Sequence, residues 1–436
     1  MHNRIAKVLI ILSAIFLMVT GAVFAAGSKE GTAAPARPKM RMWIDHPFYV
    51  KATEGLLESY ALEWAQQTGV DLEYSQDSDK IMFPRIDAAI ESKTLPDVLL
   101  CDILWLPKMQ RAGLVTDVTA LAKELNANMG GFTKGVVAAV TTPDGSFVAI
   151  PMFASTEEQY ARKDLMDAKG LAIPDTWADT LTVARAINNP PTVWGWGHQV
   201  APYDGERHNS AMILAYGGAV WSKDGKSVTL DSPQTRQAID LVKSAYEDGV
   251  IPKDAVTWDD AGNNTAYQSG KVGFAENTGS IATWLKANDP TLFNNTVFKL
   301  FPTGPVGRFI QGDAWVLFIP NTSKYPDQAK DLIRSLSQQK RQEEIITAMG
   351  GFRIPVYTDL IKLPVWQDRA LKPLADSAPY VYMPGYPGPV TSLALEEFNQ
   401  RVIAKMMLRV LTDKWTDDQA IAEAVETIKR IQTSLK

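Results

Sequence analysis

The sequence predicts an α/β protein of more than one lobe, and three observations carry that prediction. The chain has 436 residues, more than one hydrophobic core usually organises. From Met40 onward, apolar residues switch between strand and helix spacing in the order β-α-β-α-β. The last strand of that series, residues 98–101 (VLLC), is a short, wholly apolar run, which is how a strand covered on both faces reads. Such alternation predicts a parallel sheet with helices on both faces and ligands bound beyond the carboxyl ends of its strands.

Ahead of that region stands a targeting segment. Arg4 and Lys7 precede an apolar run over residues 8–19, and residues 21–26 (GAVFAA) end it with small side chains. That order is a secretory signal peptide over residues 1–25, cleaved after Ala25. The 19 residues from Val8 to Ala26 approach the length of a membrane span, so a retained anchor is the competing reading. Cleavage takes the net charge from −5 to −7. Cys101 is the only cysteine, which excludes an internal disulfide, a Cys-based zinc site, an iron–sulfur cluster and a lipid-bearing thiol beside the cleavage point. Residues 26–38, with their Gly, Ser and Pro content, read as a flexible lead-in.

The elements then follow in order. Residues 40–44 read as a strand, and Leu56, Leu57, Tyr60, Ala61 and Trp64 recur at helical spacing before Gly69. Val70, Leu72 and Tyr74 alternate as a strand, and residues 81–92 read as a helix. Ser232-Pro233 is an N-cap followed by Pro at the first helical position, continued by Ile239, Val242 and Tyr246 and stopped by Gly249. Residues 326–349 form one or two helices ended by Gly350-Gly351. Thr416 and Gln419 have capping-box spacing, and Ile421, Val425 and Ile428 supply the buried stripe behind them. No repeat of fixed period is present.

Signals of chemistry are few. An acidic chain without a basic run gives no footprint for nucleic acid or an anionic membrane surface. No nucleophile elbow, phosphate loop or H-E-x-x-H occurs, and Gly195-Trp196-Gly197 lacks a third dinucleotide-site glycine. His198, Asp204, Glu206 and His208 are possible metal ligands in what reads as a loop. Two histidines ten residues apart define no coordination geometry, so neither metal nor cofactor is assigned. Carboxylate neighbours such as Glu157-Glu158 and Asp259-Asp260 read as surface solvation, since adjacent residues rarely face one another. Trp43, Trp194, Trp196, Trp221, Trp258 and Trp315 lie at strand ends or among Gly, Asp and Asn. Flat aromatic faces stack on the C–H faces of sugar rings while Asp, Asn, Glu and Arg reach the hydroxyls, so this mixture suits a carbohydrate pocket.

A series of short segments stands in a definite order over residues 40–436: Leu95-Pro96-Asp97-Val98 with Asp102, Trp105 and Ala112-Gly113-Leu114-Val115; residues 144–153 (DGSFVAIPMF) followed by residues 160–165 (YARKDL); then Pro174-Asp175-Thr176-Trp177, Ala215-Tyr216-Gly217-Gly218, residues 267–274 (YQSGKVGF) and Gly312-Asp313-Ala314-Trp315. In content and order this series resembles the extracellular solute-binding proteins of ABC importers, in the family of maltose-binding protein. The resemblance implies a type II periplasmic binding protein fold: two lobes, a hinge that the chain crosses several times, and a ligand enclosed as the lobes close. Crossings are expected near Pro151, Glu276 and Pro320. Residues 39–151 with 277–320 would then form lobe 1, and residues 152–276 with 321–436 lobe 2.

By position, the ligand-binding residues implied are Trp43, His46, Asp102, Phe153, Glu157, Trp258, Asn277, Thr278, Asp313, Trp315 and Arg353. Trp43, Trp258 and Trp315 would stack, Asp102, Glu157 and Asp313 accept from hydroxyls, and Asn277, His46 and Arg353 donate. Two positions depart from the pattern: Ala161 replaces an aromatic, and Arg353 precedes rather than follows its proline. The resemblance implies a periplasmic monomer that is not an enzyme, partnered by a small-molecule ligand, a sugar, and by the transmembrane permease subunits. The competing readings are a ferric-ion or other small-solute binder of the same fold, with Tyr380, Tyr382 and Tyr386 as hard ligands, and a secreted glycosidase or lyase.

Overall fold

The computed structural model describes residues 37–45, 51–77, 79–142, 144–202 and 204–435. The expected signal peptide, all but two residues of the expected lead-in, and His46 lie outside the described residues. The strands, in chain order, are β1 (Lys39–Asp45), β2 (Asp71–Asp77), β3 (Val98–Asp102), β4 (Ile150–Ser155), β5 (Glu158–Arg162), β6 (Trp194–Trp196), β7 (Val272–Asn277), β8 (Thr296–Lys299), β9 (Ile310–Gln311), β10 (Asp313–Phe318), β11 (Ile354–Pro355) and β12 (Val381–Tyr382).

Two principal sheets organise them. A six-stranded sheet runs β11-β4-β10-β3-β1-β2 and a four-stranded one β6-β7-β5-β8; β9 and β12 form a small parallel pair. In the larger sheet β1, β2 and β3 are parallel, as their apolar runs predict, but β10 enters antiparallel between β3 and β4. Each sheet has its own core. The first draws on residues 40–154 and 314–375, joined by Met383 and Leu395. The second draws on residues 161–301, Ile310 and residues 382–431, with a satellite cluster around Tyr160, Tyr267 and Leu285.

This division corrects the expected lobe boundaries. Residues 277–311 do not join the first sheet, because β8 pairs antiparallel with β5 and keeps the chain in the second lobe. Residues 321–375 do not join the second, because the buried faces of helices Pro326–Leu336 and Gln339–Ala348 pack into the first core. The crossings fall between β4 and β5 at Thr156-Glu157, at Gly312 between β9 and β10, and over residues 376–381, not at Pro151, Glu276 or Pro320.

The crossings lie against one another. A Cβ on Gly312 would stand 2.8 Å from the Ser155 carbonyl oxygen and 2.6 Å from Val381 Cγ1, closer than packed atoms approach. Only glycine lets these segments pass. Between the first and third crossings, the buried Thr156 and Ser377 hydroxyls share a hydrogen bond of 2.9 Å.

Local signals held where neighbours along the chain decide the outcome. Ser232 accepts the Thr235 N–H at 3.1 Å and opens helix Pro233–Glu247, and Gly249 ends the turn after it with φ +68°. Thr416 and Gln419 form both bonds of the capping box at the start of helix Asp417–Ser434. Cys101 is a buried packing thiol whose pKa burial raises further. Among the described residues, no helix is long and apolar enough to cross a membrane.

Candidate functional site

The carboxyl end of β3 and the start of β10 bring together five of the expected residues. Trp315 stands opposite Asp102 on one side and Phe153 on the other. Asp102 ends β3 and accepts the Leu104 N–H at 2.9 Å, which turns the chain into the next helical segment. The guanidinium carbon of Arg353, one residue before β11, lies 3.8 Å from the centre of the Trp315 ring, a desolvated cation–π contact. Asp313 opens β10 and pairs with Arg207 of helix Asp204–Ala215, which belongs to the second lobe. Phe153 is fully buried and forms the layer beneath.

Burial and the nearby Asp313 charge push the Asp102 carboxyl up to about 7, against the Leu104 N–H, Arg207 and Arg353, which favour its charged form. Two polar atoms of this wall have no hydrogen-bond partner among the described residues: Asp313 Oδ1 and Trp315 Nε1. Both residues are at least nine-tenths buried.

The opposite wall comes from the second lobe. Glu157, just past the first crossing, lies with Oε2 2.9 Å from His208 Nε2. Burial alone would lower His208; Glu157, Asp204 and Glu276 outweigh it and push the imidazole up to about 9. Behind it, Glu276 accepts from Gln159 at 2.8 Å and from Trp196 Nε1 at 3.0 Å and faces His198 at 3.5 Å. Burial and Glu157 push Asp204 up to about 7. Partial burial likewise holds Asp260 above the usual carboxylate range; Glu157 adds to this, and Arg207, Arg353 and Arg401 oppose it. Charges from both lobes therefore act on the same space.

The remaining expected residues are placed differently. Asn277 and Thr278 turn into a local amide network: Asn277 Nδ2 donates to Asn263 Oδ1 at 2.9 Å and Asn264 Oδ1 at 2.7 Å, while its own oxygen accepts the Thr278 N–H. Trp43 sits in the first core with the Arg85 guanidinium 3.7 Å over its ring, so that face is covered. Trp258 borders a separate groove with Trp194, Pro252 and Gly262. Of the other loop tryptophans, Trp196 and Trp221 are core. Of the expected stacking indoles only Trp315 stands beside Asp102 and Asp313, and Arg353 covers one of its faces as Arg85 covers Trp43. The tyrosine cluster is also engaged elsewhere: Tyr382 donates to Gln311 at 3.0 Å and Tyr380 lies under Arg308.

Sequence reasoning misses Arg207 and Arg401, and reads as surface solvation an Asp260 that burial in fact shifts. The loop reading of His198, Asp204, Glu206 and His208 holds for His198 but not for the other three. Asp204–Ala215 is a helix, and its Asp-x-x-x-His spacing was the available signal. Glu206 points away and accepts the Ala404 N–H at 2.7 Å, capping helix Val402–Leu411.

Known proteins share this architecture. Residues 59–373 match the family described as bacterial extracellular solute-binding protein. A relative from Deinococcus radiodurans named "Probable ABC transporter-binding protein" is 25% identical over 296 residues, covering 64% of this chain and 68% of the relative. Maltose-bound MalE3 of T. maritima superposes with a TM-score of 0.73 at 24% identity, over 90% of this chain and 99% of that one. A sugar transporter protein of Arthrobacter chlorophenolicus A6 with bound laminaribiose gives 0.76 at 17% identity, over 91% and 100%. With the family matched over most of its length and the two-lobed fold shared, this chain belongs to the bacterial extracellular solute-binding proteins.

Proposed function

We propose that this protein is the periplasmic substrate-binding component of an ABC importer and that it takes up a carbohydrate between its two lobes. The observation that carries this reading is the wall built by Asp102, Asp313, Trp315 and Arg353. It offers a buried acceptor, Asp313 Oδ1, and a buried donor, Trp315 Nε1, that have no hydrogen-bond partner among the described residues. Buried polar atoms are almost always paired, and hydroxyls of a polyol supply both partners at once. The names of the structural neighbours, bound to maltose and laminaribiose, support the same ligand class.

In this reading, ligand oxygens meet Asp102, Asp313 and Arg353 on one lobe and Glu157 and Arg207 on the other. The closed form is selected by contacts made to both, and the hinge is the bundle of crossings around Gly312. The permease reads closure, and no bond in the ligand is broken. The lobes comprise residues 38–155 with 313–376, and 158–311 with 381–435.

A panel of mono- and oligosaccharides and polyols, read by melting temperature and tryptophan fluorescence, tests this. A saturable shift with at least one sugar, and no new product after incubation, is expected. A response to ferric ion alone, or hydrolysis of an oligosaccharide, overturns it.

A further inference from the structure

Glu157, Asp204 and His208 have an arrangement that sugar binding does not require. Asp204 and His208 are four residues apart on helix Asp204–Ala215, so both side chains leave the same face; helical metal motifs set two ligands at this spacing. Glu157 arrives from a different element, the crossing between β4 and β5, and its Oε2 is already 2.9 Å from His208 Nε2. One ligand atom from each of the three lies within 4.8 Å of the others. Side-chain adjustments on the order of 1 Å bring all three to the ~2.0–2.2 Å at which such ions are held.

The surroundings match what a metal site needs beyond its ligands. Asn263 and Asn277 point their amide nitrogens at Asp204 Oδ2, each at 3.4 Å. His208 Nδ1 is buried with no hydrogen-bond partner among the described residues, and His208, His198 and Glu276 likewise bring ligand atoms within 4.8 Å of one another. A metal on Nε2 fixes the proton on Nδ1, and the buried Glu276 carboxylate close to this imidazole is the kind of outer partner that a ligating histidine takes. Asp204 is only half-buried, so solvent or ligand oxygens have access to the open positions. Three N and O donors without a thiolate suit a borderline or hard divalent ion.

We propose that Glu157, Asp204 and His208 bind a divalent first-row metal ion of the Zn2+ or Mn2+ kind beside the ligand cleft. The site shares Glu157 with the proposed sugar contacts but does not depend on the carbohydrate reading. Its test is direct uptake of Zn2+ and Mn2+ by the untagged protein, with no sugar present, in competition with a chromogenic chelator. One equivalent is expected, with a rise in melting temperature that chelation reverses. Asp204→Asn and His208→Gln should each weaken uptake ~10-fold or more. Should His208→Gln fail to fold, Asp204→Asn decides, because Asp204 keeps some solvent exposure and its amide has the same shape. No uptake of either ion, or equal uptake by the variants, overturns the proposal. Because the sugar panel is a separate measurement, either result leaves the carbohydrate reading to be judged on its own data.

Discussion

Arg207, on the helix that begins at Asp204, donates its guanidinium to Asp313, the first residue of β10, so one ion pair ties the second lobe to the first beside the Gly312 crossing. The side chains are 15% and 5% exposed. Removing one partner of a buried pair strands the other charge. Asp313→Ala is expected to lower unfolding free energy by ~3 kcal/mol in urea denaturation, while the double variant Asp313→Ala with Arg207→Met recovers part of the loss. Additive losses would show that the two residues are not coupled.

Gly312 is expected to tolerate nothing larger. Gly312→Ala places a methyl against the Ser155 carbonyl and Val381, and overpacking of this kind costs ~1–3 kcal/mol. The same methyl obstructs the crossing, so sugar affinity should fall beyond what lost stability explains. Calorimetric titration well below the melting temperature separates the two effects.

The Asp102 carboxyl, raised to about 7 in the folded protein, starts from ~3.9 in the unfolded chain. The folded state therefore holds this proton more tightly between those values. The stabilisation is complete below the unfolded pKa and is lost as pH rises through about 7. Asp102→Asn should flatten that part of the profile, measured as the change in melting temperature between acidic and mildly alkaline buffer. A hydroxyl donated to Asp102 favours its charged form, so sugar affinity of the native protein should rise over the same interval. An unchanged slope in the variant would assign the dependence to other groups.

Trp315 and Arg353 should report and hold the ligand. Trp315→Phe keeps the ring but removes the unpaired Nε1, and should abolish most of the ligand-induced fluorescence change. Affinity should weaken ~5–10-fold, corresponding to one lost hydrogen bond of ~1 kcal/mol. Arg353→Lys loses the planar stack 3.8 Å from the indole and is expected to weaken binding by a similar factor. Wild-type affinity in both variants would place the ligand elsewhere.

Much of this site was legible one residue at a time. Asp102, Asp313 and Trp315 stand in motifs that resemble a family and Arg353 in one that departs from it, and the four meet at the end of one sheet. Arg207 is not legible in this way, because nothing in residues 204–215 signals a partner more than 100 positions away. Trp43 was named and is packed under Arg85, since a tryptophan at a strand end reads the same whether its face meets a ligand or a guanidinium.

The amino-acid sequence by itself determined the elements whose causes are local. The Ser232 and Thr416 caps, the Gly249 stop and the apolar run of β3 each rest on groups within a few residues, so spacing alone exposes them. Only the tertiary structure decided which lobe each later segment joins. β10 lies between β3 and β4, more than 150 residues from either, and β8 closes onto β5 instead. Strand pairing depends on which edge is open and which apolar face needs cover, a condition set by the whole sheet. The same holds for charge: whether Asp313 meets Arg207 is decided by how two separately built cores bring their surfaces together.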